Sequence, residues 1–331
     1  MSDNAKQTQC EVIPSSVERL NPAEAYLLTL GKSSRKLMKS RLDIIANMLS
    51  AGKTLNTFDW RRLNSQVAHL IINKLTECGL KNSTINSYLN AMRGVIKKGF
   101  EVKVISNENF NRFKLIKNLS GNVVANSNVL TEDNVNIVID YFGGKFANIS
   151  KLTYGGYIRL HRDYVMIMMM LNCGLRRAEI ANMVVGDIDI NRREVRVLGK
   201  GRSERVVPLP TSLVTDYYFR EWLVILGDDP NVPVFSSTFK SGILKDEKLT
   251  TTTIRLIVSN RCSDAGLGHV TAHDLRRTFA TLMHRKGVSI KVLQRILGHR
   301  SITTTEAYIK ADRKDLHVAS DNLNLKNLKK Q

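Results

Sequence analysis

The tightest constraint on this fold is where extended sequence can and cannot occur. Strand patterns appear only in the second half, between positions 187 and 209, and the first half repeats at helical spacing. In the first half, Leu37, Leu42, Ile45 and Leu49 keep one apolar face, and Val67, Leu70, Ile71 and Leu75 keep another. A third helix begins near Ser83 or Thr84, either a good N-cap, and runs through Ile85, Tyr88, Leu89, Met92 and Ile96. In the second half, Asp187 to Ile190 alternates, Asn191-Arg192-Arg193 turns, and Glu194 to Leu198 alternates again. After Gly199-Lys200-Gly201-Arg202-Ser203 a third extended run, Arg205 to Leu209, is stopped by Pro208 and Pro210. The expected fold is therefore mainly α with a small antiparallel β-sheet (α+β), with Lys200 at a hairpin tip.

Length and composition place the boundaries. At about 150 residues per domain, 331 residues suggest two domains. Residues 1–22 read as a polar tail, 23–113 as a compact basic helical domain and 114–129, rich in Asn, Ser and Gly, as a linker. The second domain, 130–331, opens at Thr131 with acidic residues in its first turn. Within it, 143–157 reads as a glycine-containing surface loop and Arg162 to Leu171 as a buried helix. Helical patterns return at 211–226, 249–265, 274–286, 289–297 and 303–311. Leu316, Val318, Leu323, Leu325 and Leu328 form an amphipathic tail that folds back in cis or docks on a neighbouring protomer; exchange is expected.

Charge narrows the partner. Fifty Lys and Arg against thirty Asp and Glu leave a net +20, which implies a polyanion. The most apolar run, Tyr164 to Leu171, is eight residues, far short of the roughly 20 that span a bilayer. No secretory signal is visible, and Cys10, Cys78, Cys173 and Cys262 form no CxxC pair, so a reducing, cytoplasmic location is expected. Nucleic acid is the expected partner, and a membrane is not. Lys36, Lys39, Arg41, Arg93, Lys114 and Arg202 are the candidate DNA contacts, although Lys114 also suits a solvated tether. Arg192, Arg193, Arg196, Arg202 and Arg205 read as a solvated sheet edge or a phosphate-tracking face.

Chemistry gathers in the second half. In HDLRRTFATLMHRKG, Leu275, Phe279, Leu282 and Met283 make an apolar stripe, and His273 and Arg276 share a face near the helix start. The next helix has Ser289 as N-cap and ends at Gly298, so His299 follows a fixed bend. Thr303 and Glu306 read as a capping box, with Tyr308 in the opening turns of that helix. Upstream, Arg176 and Glu179 lie three apart, so the carboxylate can hold the guanidinium. Two arginines, a lysine, two histidines and a tyrosine suit a phosphodiester: arginine forks bind phosphate oxygens, histidine and lysine move protons, and a phenol can attack. No carboxylate cluster for a divalent ion is evident, and no metal or other cofactor is expected.

The segments GLRRAEI (174–180), GKGRSERVVPL (199–209), HDLRRTFA (273–280), LGH (297–299) and TTTEAY (303–308) resemble, in order, the motif series of the tyrosine site-specific recombinases, the phage-integrase family. The resemblance implies a core-binding domain at 23–113 and an enzyme that cuts and rejoins DNA without a metal, through a 3′-phosphotyrosyl intermediate. Arg176 and Arg276 would clamp the scissile phosphate, Lys200 protonate the leaving 5′ oxygen, and His273 act as general acid/base. His299 would hydrogen-bond the phosphate, Tyr308 attack, and Glu179 support. It further implies a homotetramer on double-stranded DNA at specific core sites, a Holliday junction and possible accessory proteins. Integrase of a mobile element is the expected role, in the prokaryotic nucleoid. The alternatives are a chromosome or plasmid dimer resolvase, a type IB topoisomerase or telomere resolvase, and a non-catalytic DNA-binding protein. Arg277 stands where many members have His, and no separate arm-binding domain is expected before residue 23.

Overall fold

A computed structural model describes residues 21–120, 128–199, 203–299, 301–306 and 308. The expectations for Lys200, Arg202, most of the N-terminal tail, the 121–127 part of the linker and the C-terminal tail lie outside the described residues. The chain divides into two units, within residues 1–125 and 126–331.

Among its described residues the first unit has only helices as regular elements: α1 (Pro22–Leu28), α2 (Lys32–Leu49), α3 (Ser65–Glu77), α4 (Asn82–Glu101) and α5 (Asn107–Lys114), with a short 3-10 turn at Trp60–Arg62. Helix α4 is the central element, packed by α1, α2, α3 and α5. It buries Ile85, Tyr88, Leu89, Met92, Val95 and Ile96 against Leu42, Ile45, Ile71 and Leu75. Two residues assigned to apolar faces, Leu37 and Leu70, are exposed instead. Each lies at the edge of its helical stripe, outside the arc that α4 covers. Helix α4 also starts at Asn82 with Lys81 as its N-cap residue, just before the expected Ser83 or Thr84.

The start of the expected linker is not loose. Ile116 is buried in the first core, and Asn86 holds Leu119 by bonds of 2.9 Å to both its N–H and its carbonyl. Leu115, Ile116 and Leu119 among polar residues are too few to set a period, so the sequence could not reveal this docking.

The second unit holds α6 (Glu132–Ala147), α7 (Tyr154–Cys173), α8 (Arg177–Asn182), β1 (Ile188–Asp189), β2 (Glu194–Leu198), β3 (Glu204–Pro208), α9 (Thr211–Val214) and α10 (Tyr217–Leu226). It continues with β4 (Ser236–Thr238), β5 (Leu244–Lys248), α11 (Thr251–Asp264), α12 (Ala272–Arg285), α13 (Ile290–Leu297) and α14 (Ile302–Glu306). The mainly helical, α+β architecture is as expected. Strands β1, β2 and β3 form an antiparallel sheet in that order, with Val195 opposite Val207 and Val197 opposite Arg205. Almost wholly buried, α7 runs through the middle, and its buried polar pair is matched internally. Asp163 Oδ1 accepts from Arg162 (2.8 and 3.0 Å) and Oδ2 from Arg261 of α11 (2.8 and 3.0 Å).

Three expectations need correction here. The stretch 143–157 is mostly helix: α6 continues to Ala147, a single 3-10 turn follows, and α7 begins at Tyr154. Gly143 and Gly144 are poor helix formers, but burial of Phe142 and Phe146 outweighs roughly 1 kcal/mol per glycine. Thr303 lies inside α14 rather than capping it, because the helix already starts at Ile302. Finally, the hairpin of β4 and β5 has no sequence counterpart; three and five residues of mostly polar strand show no alternation.

Candidate active site

Four backbone junctions of the second unit aim side chains at one spot. Helix α7 ends at Gly174 in the left-handed conformation (φ 60°), and a Cβ there would sit 2.4 Å from Phe279 and 2.9 Å from Leu297. The chain can therefore turn against α12 and α13 only with glycine at this position. Arg176 then forms the N-cap of α8, and Glu179 reaches back to its backbone N–H at 2.7 Å.

Glu179 is the hub. Its side chain is 3% exposed, and its oxygens accept from Arg176 Nη1 (2.7 Å) and from both Nη1 and Nη2 of Arg205 on β3 (2.8 and 2.9 Å). Arg276 Nη1 lies 3.9 Å away. Burial alone would raise this carboxyl, but the hydrogen bonds and charges of Arg205 and Arg176 outweigh it and bring it down to about 2.

Arg276 rises from the first turns of α12, which Thr271 and Asp274 cap reciprocally. It is 2% exposed and donates to the carbonyls of Gly174 and Leu297, each at 2.6 Å. Burial, reinforced by Arg176, lowers its pKa to about 10, so it stays charged at neutral pH. Arg276 Nη2 also lies 2.9 Å from His299 Nε2. A guanidinium can only donate, so Nε2 accepts, and the ring proton sits on Nδ1, 2.9 Å from Thr305 Oγ1. Burial first, then Arg276, Arg176 and Arg205, push His299 down to about 4, which keeps the imidazole neutral.

Gly298 closes α13 in the left-handed conformation (φ 63°), its carbonyl accepts from Arg176 Nη2 at 2.9 Å, and His299 follows at the bend. The Tyr308 ring stands edge-on to His273 (centroids 5.2 Å apart) and to His299 (5.0 Å). Thr281 Oγ1 donates to the Tyr308 carbonyl at 3.2 Å, and the Arg277 guanidinium lies 5.5 Å from the ring centroid. His273 is exposed, and partial desolvation together with Arg277 lowers its pKa. The structure thus brings Arg176, Glu179, His273, Arg276, His299 and Tyr308 into one continuous cluster. Among the described residues no three His, Cys, Asp or Glu side chains converge on a common point.

Residues 157–315 match the phage integrase family. They belong to it. The sequence is 33% identical over 165 residues to the tyrosine recombinase XerA of Pyrococcus furiosus, covering 50% of this chain and 55% of that protein. It is 35% identical over 154 residues to the tyrosine recombinase XerC of Proteus mirabilis, covering 46% and 48%. The chain thus spans about half the length of the curated relatives it matches. A solved structure of the Tn1549 transposon integrase with transposon right end DNA shares the fold at a TM-score of 0.66. That match has 17% identity and covers 92% of this chain and 99% of the other. A lambda integrase dimer bound to a COC′ core site matches at a TM-score of 0.61 and 16% identity, covering 87% and 94%.

One residue of this integrase-family domain escaped the sequence reading. The sequence places Arg205 on a solvated or phosphate-tracking edge, yet its side chain is 13% exposed and bound to Glu179. The signal was there in the strand period: β3 turns Arg205 and Val207 inward and Glu204, Val206 and Pro208 outward.

The candidate DNA contacts of the first unit are more dispersed. Lys36 and Lys39 are exposed on α2, with Lys39 paired to Asp43 at 2.8 Å. Arg41 stacks over Tyr88 at 4.3 Å, and Lys114 over Phe110 at 4.1 Å. Arg93 donates to Ile116 O at 2.5 Å and Asn118 Oδ1 at 2.6 Å, so it anchors the segment that follows α5.

Proposed function

We propose that this chain is a tyrosine recombinase that cuts and rejoins double-stranded DNA at specific core sites through a 3′-phosphotyrosyl bond to Tyr308. The observation that carries the reading is the seating of the Tyr308 ring against His273 and His299, with the Arg276 guanidinium hydrogen-bonded to His299.

The chemistry follows from what each group can do. The Arg176 and Arg276 guanidiniums offset the charge that grows on the non-bridging oxygens of the scissile phosphate. Tyr308 Oη attacks phosphorus, its proton passes to His273, and the P–O5′ bond breaks. Lys200 protonates the departing 5′ oxygen, leaving a free 5′-hydroxyl and a 3′-phosphotyrosyl ester. An incoming 5′-hydroxyl reverses the sequence: it attacks the ester phosphorus, and the tyrosine oxygen leaves and recovers its proton. Two successive strand exchanges pass through a Holliday junction and call for four protomers on two duplexes.

The finer role we propose is the integrase of a mobile element, and the support is the net charge of +20, which favours capture of a second duplex from solution. Joining of two separate plasmids, compared with resolution of direct repeats on one plasmid, tests that role.

The reaction is tested with a duplex nicked just downstream of the scissile phosphate, so that cleavage releases a short fragment bearing the new 5′-hydroxyl and traps the intermediate. Wild-type protein should yield a covalent adduct whose tryptic peptide carries the DNA at Tyr308, and Tyr308→Phe should bind the same duplex and yield none. An adduct that persists in Tyr308→Phe overturns the assignment. Brisk relaxation of supercoiled plasmid lacking any core site would point to a topoisomerase instead.

A further inference from the structure

We propose that Arg205 is a positioning residue for strand cleavage, fastening β3, the start of α8 and the end of α13 into one rigid cradle for Arg176 and Arg276. The inference rests on the recombinase reading above.

Three observations converge on it. Arg205 uses its whole donor fork internally: Nη1 and Nη2 grip the two oxygens of Glu179 at 2.8 and 2.9 Å, and Nε donates to the Ile296 carbonyl at 2.7 Å. Only arginine has a planar fork that makes these three bonds at once. The neighbouring arginines behave otherwise, since Arg192 and Arg196 have side chains 80% and 56% exposed, pair with Asp189 and Asp187, and leave Glu179 alone. Gly298 completes the fit, because a Cβ there would stand 3.0 Å from Arg205 Cδ and 3.2 Å from its Nε and Nη1. The end of α13 is thus shaped around this side chain.

Charge explains what the arrangement achieves. Glu179 is needed to hold Arg176, but a closed one-to-one pair would cancel the charge that a phosphate has to feel. With Arg205 also bound to that carboxylate, Arg176, Arg205 and Arg276 surround a single negative charge. Two positive charges remain over, matching a phosphoryl transition state that carries more negative charge than the ground-state diester. Arg205 itself is bound to Glu179 and to Ile296, so in this proposal it acts on the phosphate through Arg176.

The test is single-turnover cleavage of the nicked duplex by wild type, Arg205→Ala and Arg205→Lys, with binding of the same duplex measured in parallel. Arg205→Ala should bind the site nearly as well as wild type and cleave on the order of 10²-fold more slowly, the scale of a small misplacement of catalytic groups. Arg205→Lys, which keeps the charge and loses the fork, should fall between them. It also serves as the comparison if Arg205→Ala melts below the assay temperature.

The pH profile separates positioning from simple support of the fold. The charged groups facing Glu179 are Arg176 from the start of α8, Arg205 from β3 and Arg276 from α12. Removing Arg205 takes away the strongest influence that holds the carboxyl down at about 2, so burial raises it against what Arg176 still supplies. Cleavage by Arg205→Ala should therefore weaken on acidification through a range where wild type holds its rate; His273 titrates in both proteins, and because Arg205 also helps hold His299 down, Arg205→Lys, which keeps that charge but loses the fork, separates the carboxyl from the imidazole. A folded Arg205→Ala that cleaves at the wild-type rate with the wild-type profile overturns the role of Arg205 alone. Absence of any adduct with wild type overturns the recombinase reading, and the role of Arg205 with it.

Discussion

Glu179→Gln isolates the electrostatic centre of the site while keeping its shape. The carboxyl sits at about 2 in the folded chain against an ordinary value of 4.5. At 1.36 kcal/mol per tenfold change in proton affinity, the ionised form stabilises the fold by about 3 kcal/mol at neutral pH. The sign follows from the depressed pKa. The contribution is complete above about pH 5 and is lost as pH falls through 4.5 toward 2, because the unfolded chain takes up the proton first. Glutamine cannot supply it at any pH and leaves Arg176, Arg205 and Arg276 facing one another. The assay is urea denaturation between pH 7 and pH 2, followed by fluorescence. The sequence has two tryptophans, Trp60 and Trp222, one buried in each unit, so a Trp60→Phe background leaves Trp222 to report on the second. The stability gap between wild type and Glu179→Gln should be about 3 kcal/mol at pH 7 and close almost completely by pH 2. A gap below about 1 kcal/mol at pH 7, or one that does not change with pH, would refute the claim that this carboxylate is held ionised by its arginines.

Other consequences are as direct. In an NMR titration, the His299 ring should stay neutral until pH approaches about 4, with its proton on Nδ1, and Thr305→Val should disturb that tautomer; protonation near pH 6.5 would contradict the geometry. Gly174→Ala should destabilise the second unit by about 2–5 kcal/mol, combining the left-handed backbone with the clash on Phe279; a melting temperature equal to wild type would show that the turn can relax. Asp163→Asn should cost about 3–5 kcal/mol, because Arg162 and Arg261 lose their shared buried partner; an effect under about 1 kcal/mol in thermal unfolding would mean the pair is not held as tightly as drawn.

The site was legible wherever residue type and local spacing carry the chemistry. His273 and Arg276 fall three apart at a helix start, Arg176 and Glu179 three apart at another, and Gly298 stops a helix just before His299; each is a local pattern that the fold preserves. Arg205 was not legible in the same way. Its partner Glu179 lies 26 residues away, and only the pairing of β3 with β2 beside α8 brings the two together. Arg93 illustrates the converse: a cation read as a DNA contact is turned onto the carbonyl of Ile116, 23 residues on, by a segment whose docking has no periodicity.

By itself, the sequence determined the helical first unit, the three-stranded antiparallel sheet, the motif residues and the strongly positive charge. These follow from periodicity, turn chemistry and composition, all of which act over a few residues or over the whole chain at once. Tertiary structure alone decided that 143–157 is mostly helix, that β4 and β5 pair, and that one carboxylate holds two arginines close to a third. Those outcomes depend on burial and on charges approaching within 3–4 Å from distant parts of the chain, where packing energy overrides local propensity.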